Sequence, residues 1–80
     1  VEPVTGIAND ALMGVEGMHV GEGLWVYAIL YRRDRIDQAQ LAAAPQRICS
    51  SRNMSFILSR HEPMNDPDIP GVDRVMVRCR

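Results

Sequence analysis

The side chains able to carry chemistry in this sequence are few, and its two cysteines come first. Cys49 and Cys79 are an even pair in a small chain, which is compatible with one disulfide and an oxidising compartment. The alternative is a pair of free buried thiols in a cytosolic protein. No C-x-x-C or H-x-x-x-H spacing accompanies the cysteines, so we expect neither a metal site nor a cofactor.

The histidines offer little support for catalysis. Nucleophilic catalysis needs a cysteine beside a histidine, or a serine with a histidine and a carboxylate. The sequence has no G-x-S-x-G elbow, and an enzyme that uses His19 or His61 is the functional class we favour least. We expect a protein that is not an enzyme and has no small-molecule substrate.

The basic residues, all nine of them arginine, offer a binding surface. Arg74, Arg78 and Arg80 fall on one face of the last predicted strand, where they could hold phosphates or an acidic protein. The alternative is a solvated sheet face, on which the charges prevent an edge strand from pairing with other chains and aggregating. The formal net charge of −1 argues against a protein that chiefly binds polyanions, so nucleic acid is not expected as a partner.

The positions of these residues depend on the elements that carry them. The chain has 80 residues, 46% of them apolar and 24% charged, which predicts one small globular domain over residues 1–80 and excludes collagen-like, disordered and membrane-spanning chains. Residues 1–23 form either a short helix capped by Thr5 and a short strand, or a flexible segment. In the first case residues 21–23 would be a hairpin loop.

The middle of the chain contains the clearest elements. Residues 24–31 are apolar on both strand faces, which is typical of the centre of a sheet covered on at least one side. Asp37 is a suitable N-cap for a helix over residues 38–51, in which Pro45 should cause a kink or a split. Cys49 lies on the apolar face of that helix and should point inward.

Two later segments alternate between apolar and polar residues, as half-buried antiparallel strands do. In residues 54–61 the pattern places Phe56 and Leu58 in the core. In residues 72–80 it places Cys79 in the core, opposite the arginines.

The connection between these strands, residues 62–71, contains three prolines and should be an ordered, exposed loop. Met64 and Ile69 are apolar residues in this acidic stretch, and such residues often anchor an interface. The alternative is that they fold back over the end of the sheet. Together with Arg74 and Arg78 they are the candidate interaction residues.

The resulting order is β-α-β-β, preceded by the optional helix and strand. It predicts an α+β fold with one helix packed on one face of a small antiparallel sheet. Cys49 on the helix and Cys79 on the last strand then fall on the same buried side, which predicts a Cys49–Cys79 disulfide.

In residues 37–80 an alanine-rich helix containing Ala42-Ala43-Ala44 ends near Cys49, and a terminal strand carries its disulfide partner, Cys79. This part of the chain resembles small exported bacterial proteins, many of which are lipoprotein-like. The resemblance implies a periplasmic or cell-envelope location and no known reaction, so no functional residues are carried over.

We therefore interpret the sequence as a non-enzymatic exported domain with a structural or protein-interaction role and an unknown protein partner. Membrane contact would come only through a lipid anchor upstream of Val1, and a homodimer could form by strand-edge pairing. The alternative is a small cytosolic regulator or binding subunit that contacts nucleic acid or an acidic partner through Arg74, Arg78 and Arg80.

Overall fold

A computed structural model describes residues 5–80, which form a four-stranded antiparallel sheet with one helix packed on one face. The predicted α+β fold is thereby confirmed. The strands lie in the order β1-β2-β4-β3, so β2 and β4 are central and β1 and β3 are the edges. The elements are β1 (Leu12–Gly21), β2 (Leu24–Arg32), α1 (Gln38–Ser51), β3 (Phe56–Pro63) and β4 (Val72–Cys79).

Strand β2 is apolar at successive positions, and it lies at the centre of the sheet, as its sequence predicts. Tyr27 and Ile29 are buried on the face that α1 covers. The hairpin loop from β1 into β2 is at the predicted place, and its residues Gly21, Glu22 and Gly23 all have positive φ angles. Such a loop favours glycine because a side chain is strained in that backbone conformation.

The short helix expected before this hairpin is not formed in the described residues. Residues 5–11 are a loop and a turn, and Leu12 and Met13 already belong to β1. Ile7 and Ala11 are buried in the core beside the sheet. A helix of this length is marginal by itself, whereas pairing along β2 satisfies a whole row of backbone groups. Residues 1–4 of the segment 1–23 lie outside the described residues.

Helix α1 begins where the sequence places it. The Asp37 carboxylate accepts hydrogen bonds from the backbone N–H groups of Ala39 and Gln40 at 2.8 and 3.3 Å, as an N-cap does. Pro45 does not split the helix, which is one continuous element with Pro45 on its buried side. The chain leaves the helix through Asn53, whose φ of 57° is a conformation that asparagine tolerates.

The core lies between α1, residues 5–11 and one face of the sheet. The Cys49–Cys79 disulfide joins the end of α1 to the last residue of β4 across a Cα–Cα distance of 5.5 Å, so the structure contains the predicted bridge. The buried core residues are Ile7, Ala11, Tyr27, Ile29, Tyr31, Leu41, Ala44, Ile48, Cys49, Val75, Val77 and Cys79.

The strand phase predicted for β3 holds at Phe56 and is wrong from Leu58 onward, and the burial predicted for both residues is wrong. Phe56 pairs with Cys79 but Leu58 pairs with Arg78, because the register shifts between the two residues. Phe56 is 37% exposed and Leu58 is 44% exposed, so neither is a core residue. A bulge of this kind places an extra residue in one strand and reverses the side on which later residues point.

The packing of the Tyr27 ring depends on a glycine in the neighbouring strand, β1. Gly17 pairs with Tyr27 across β1 and β2, and a Cβ atom added at Gly17 would lie 2.7 Å from the Cε1 atom of the Tyr27 ring. Because this ring is only 2% exposed, it has little freedom to move away. The absence of a side chain at Gly17 therefore provides the space that the ring occupies.

A Gly17→Ala substitution should lower the free energy of unfolding by about 1–3 kcal/mol, since it overpacks the Tyr27 ring. Gly14→Ala in the same strand is the matched control, because an added Cβ meets no atom within 4 Å there. Urea denaturation of both variants measures the difference. Equal stability of the two variants would contradict the packing of Tyr27 over Gly17.

Replacing Cys49 and Cys79 together with alanine should lower the free energy of unfolding by about 3–4 kcal/mol, because the bridge closes a loop with a sequence separation of 30. The measurement is chemical denaturation monitored by Trp25 fluorescence. Reduced wild-type protein is the control and should lose a similar amount. A double variant as stable as the oxidised wild type would show that the bridge does not hold the fold.

Candidate interaction surface

The face of the sheet opposite α1, here called the open face, is not covered by any described element. Strand residues point alternately to the two faces, and the residues paired out of phase with the core point away from α1. The open face consists of Glu16, Met18, Val20, Leu24, Val26, Ala28, Leu30, Leu58, Arg60, Glu62, Arg74, Met76 and Arg78.

Most of the open face is apolar. Met18 is 65% exposed, Val20 56% and Leu58 44%, while the central residues Val26 and Met76 are half-buried by their neighbours. Three shallow grooves of about 110–300 Å³ cross this surface. An exposed surface that is mostly apolar and carries a few charges is typical of a protein contact site.

The register aligns these side chains in rows that run across the four strands. One row contains Glu16, Ala28, Met76 and Arg60, in the order β1, β2, β4, β3. A second row, on one side of the first, contains Met18, Val26, Arg78 and Leu58. A third row, on the other side, contains Gly14, Leu30, Arg74 and Glu62.

The charges on the open face differ in how far they are already neutralised. Arg74 and Glu62 are cross-strand partners and form an ion pair through Nη2 and Oε2. Arg78 and Arg60 are exposed and make no ion pair with any residue from 5 to 80. These two guanidinium groups are therefore available to a partner.

The structure separates the candidate interaction residues into two places. Arg74 and Arg78 point to the open face, as the alternation of β4 predicts. Met64 and Ile69 are half-buried in the loop that precedes β4, and Arg78 lies six residues beyond Val72, about 20 Å along the strand. A contact centred on Arg78 would thus not include the loop residues.

Ile69 lines a second concave surface, an open cleft of about 600 Å³ beside the start of β4. Its walls carry both acidic and basic residues, and the Arg32 guanidinium there donates to the Asp10 carbonyl at 2.9 Å. Small-molecule sites are mostly apolar with a few convergent polar groups. This cleft lacks that character, so the open face is the stronger candidate.

Sequence reasoning missed most of the open face, although a signal for it was present. The apolar residues of β2 occupy both alternating sets, and one set of these forms the core. The other set, Leu24, Val26, Ala28 and Leu30, forms the centre of the open face. Apolar residues on both faces of a strand, beside one clearly predicted helix, indicate that the second face has no cover within residues 5–80.

The histidines lie apart from each other on the covered side of the sheet. His19 packs beside Trp25 with ring centroids 5.1 Å apart, while His61 pairs with Val75 on exposed β3. Within residues 5–80 no three His, Cys, Asp or Glu side chains are grouped as metal ligands are. In the same residues no helix has the length and apolar character needed to cross a membrane.

An ion pair holds the end of the sheet where the loop joins it. The Asp73 carboxylate accepts hydrogen bonds from Arg33 Nε at 3.0 Å and Arg33 Nη2 at 2.7 Å. This bidentate contact with the guanidinium, together with a hydrogen bond from the Met64 backbone, lowers the pKa of Asp73. Burial and the nearby Asp73 charge raise the pKa of the Tyr31 hydroxyl.

The chain was compared with family models, curated proteins and solved structures. No family model, no curated protein and no solved structure matches the chain.

The Asp73 ion pair makes part of the stability depend on pH. The pKa of Asp73 is lowered from 3.8 in the folded chain. The ion pair therefore stabilises the fold fully at pH values above 3.8, the unfolded-state pKa. This contribution is lost as the pH falls through the folded-state pKa. Arg33→Gln should raise the pKa of Asp73 toward 3.8. It should also lower the melting temperature at about pH 6 more than at about pH 2.

A carboxyl-detected NMR titration gives the pKa of Asp73, and thermal denaturation gives the stability at each pH. Arg35→Gln is the matched control, since Arg35 is exposed in the same turn and is not a partner of Asp73. A pKa of Asp73 that is unchanged in Arg33→Gln would contradict the assignment.

Proposed function

We propose that this protein is a non-enzymatic, exported domain that binds another protein chain through the open face. The observation that carries the proposal is the asymmetry of the sheet: one face is covered by α1 and locked by the disulfide, whereas the opposite face is apolar and uncovered. A surface of this kind gains free energy when a partner removes it from water.

The disulfide supports the proposed location in the periplasm or cell envelope. Disulfides persist in oxidising compartments and are rare in the cytosol. Cys49 and Cys79 are both 0% exposed, so the bridge lies within the core and is shielded from reductants. A structural bridge in this place fits an exported domain better than a cytosolic regulator.

The chemistry of the open face favours protein over nucleic acid as the partner. Proteins that bind single-stranded nucleic acid on a sheet place aromatic rings there to stack on the bases. The aromatic side chains of β2, namely Trp25, Tyr27 and Tyr31, lie on the covered side instead. The open face presents aliphatic and methionine side chains, which suit a protein surface.

Photocrosslinking in the native host tests this proposal with the protein at its natural level. A photoreactive phenylalanine derivative in place of Met76, at the centre of the open face, should give a covalent adduct with another polypeptide. The same group in place of Gln46, which is exposed on α1, is the matched control and should give none. If position 76 gives no adduct, or if both positions give adducts in equal yield, the proposed interaction is contradicted.

The same cells test the location. The cells are quenched with acid and the proteins are alkylated in denaturant, so that buried thiols also become accessible. Cys49 and Cys79 should stay unmodified until a reductant is added, because an exported chain keeps the bridge. The domain should also be recovered in the periplasmic or cell-envelope fraction. Two alkylated thiols without reductant would contradict export and favour the cytosolic alternative.

A further inference from the structure

We propose that the partner seated on the open face is a second copy of this chain, packed face to face with its strands roughly parallel to those of the first. The two copies would be related by a twofold axis that runs between the sheets along the strand direction. This inference rests on the proposed function, since it names the occupant of the same surface. Such an axis places the β1 edge of one copy over the β3 edge of the other.

Charge complementarity points to this arrangement. Glu16 on β1 and Arg60 on β3 lie in the same row at opposite edges of the sheet. Three strand spacings separate them, or about 14 Å, and they form no ion pair with each other within one copy. The twofold axis brings Glu16 of each copy over Arg60 of the other, which creates two equivalent ion pairs.

The side chains between these charges are complementary in size. In the same row, Ala28 on β2 lies beside Met76 on β4. The axis exchanges β2 with β4, so each methionine lies over the alanine of the other copy. A long side chain facing a short one allows two sheets to interdigitate at the usual separation of about 10 Å.

The row that contains Met18 and Leu58 is also compatible with a twofold axis that exchanges β1 with β3 and β2 with β4. Met18 on β1 would lie over Leu58 on β3 of the other copy, and these are among the most exposed apolar residues of the described chain. Val26 would lie under the aliphatic part of Arg78, whose guanidinium can extend toward water. In the third row Arg74 is already neutralised by Glu62, so its charge does not oppose the contact.

The size of the surface sets the expected strength. Four strands and about six residues along each give a footprint of about 20 by 20 Å per copy. An interface of this footprint is at the low end of the range for specific complexes, so we expect a reversible dimer of micromolar affinity. The dimer should therefore appear and disappear with protein concentration.

Sedimentation equilibrium of charge-reversed variants tests the inference. Glu16→Arg opposes two arginines across the axis and Arg60→Glu opposes two glutamates, so each variant alone should dimerise at least about tenfold more weakly than wild type. A mixture of the two variants should regain the dimer. One copy then has arginine and the other glutamate at both positions, so both ion pairs re-form between unlike copies.

Matched controls separate this effect from net charge. Asp34→Arg and Arg35→Glu change the charge by the same amounts in an exposed turn outside the open face. Each should dimerise like wild type, and mixing them should add nothing. Circular dichroism and the intact disulfide confirm that every variant is folded, as expected for substitutions at exposed positions.

Three outcomes of the sedimentation experiment would overturn the inference. A wild-type chain that stays monomeric at high micromolar concentration lacks the dimer. A dimer unaffected by either single reversal uses another surface, such as the β3 edge. Failure of the mixture to regain the dimer excludes the twofold arrangement.

The crosslinking experiment separates this inference from the proposed function. An adduct at position 76 with a mass other than twice that of the chain would support the proposed interaction and reject self-association.

Discussion

The disulfide between Cys49 and Cys79 is the constraint on which the rest of this structure depends. It joins the end of the only helix in the described residues to the last residue of a central strand, and so holds the helix against one side of the sheet. Leu41, Ala44 and Ile48 then pack against that side. For a chain of this length, a covalent link offsets the limited free energy that one small core can supply.

Covering one face leaves the other open. An antiparallel sheet with one solvated face normally carries polar residues there, whereas here β2 has apolar residues on both of its faces. Residues 5–11 add Ile7 and Ala11 to the covered side and contribute nothing to the other. This apolar surface is uncovered because the one helix of residues 5–80 lies on the other side of the sheet, and it is the physical basis for the proposed protein partner.

The pattern of charge on the open face comes from the strand register. Antiparallel pairing places Glu16 and Arg60 in one row although 44 residues separate them in the chain. The Arg74–Glu62 pair is satisfied within the sheet, while Arg60, Arg78 and Glu16 remain available. Opposite charges at opposite edges are what a twofold contact between identical sheets requires, because each edge meets the other edge of its partner.

Local patterns in the sequence were sufficient for the elements that depend on local chemistry. The N-cap at Asp37, the apolar strand β2, the alternation of β4 and the inward direction of both cysteines follow from periodicity and hydrogen-bonding capacity. Only the tertiary structure decided that residues 12 and 13 join a strand, because pairing with β2 satisfies more backbone groups than a short helix does. It also decided the direction of Leu58, since a bulge in an edge strand depends on its neighbour and leaves no periodic signal. The strand order, and with it the meeting of Glu16, Ala28, Met76 and Arg60 in one row, rests on long-range pairing that no local window of sequence contains.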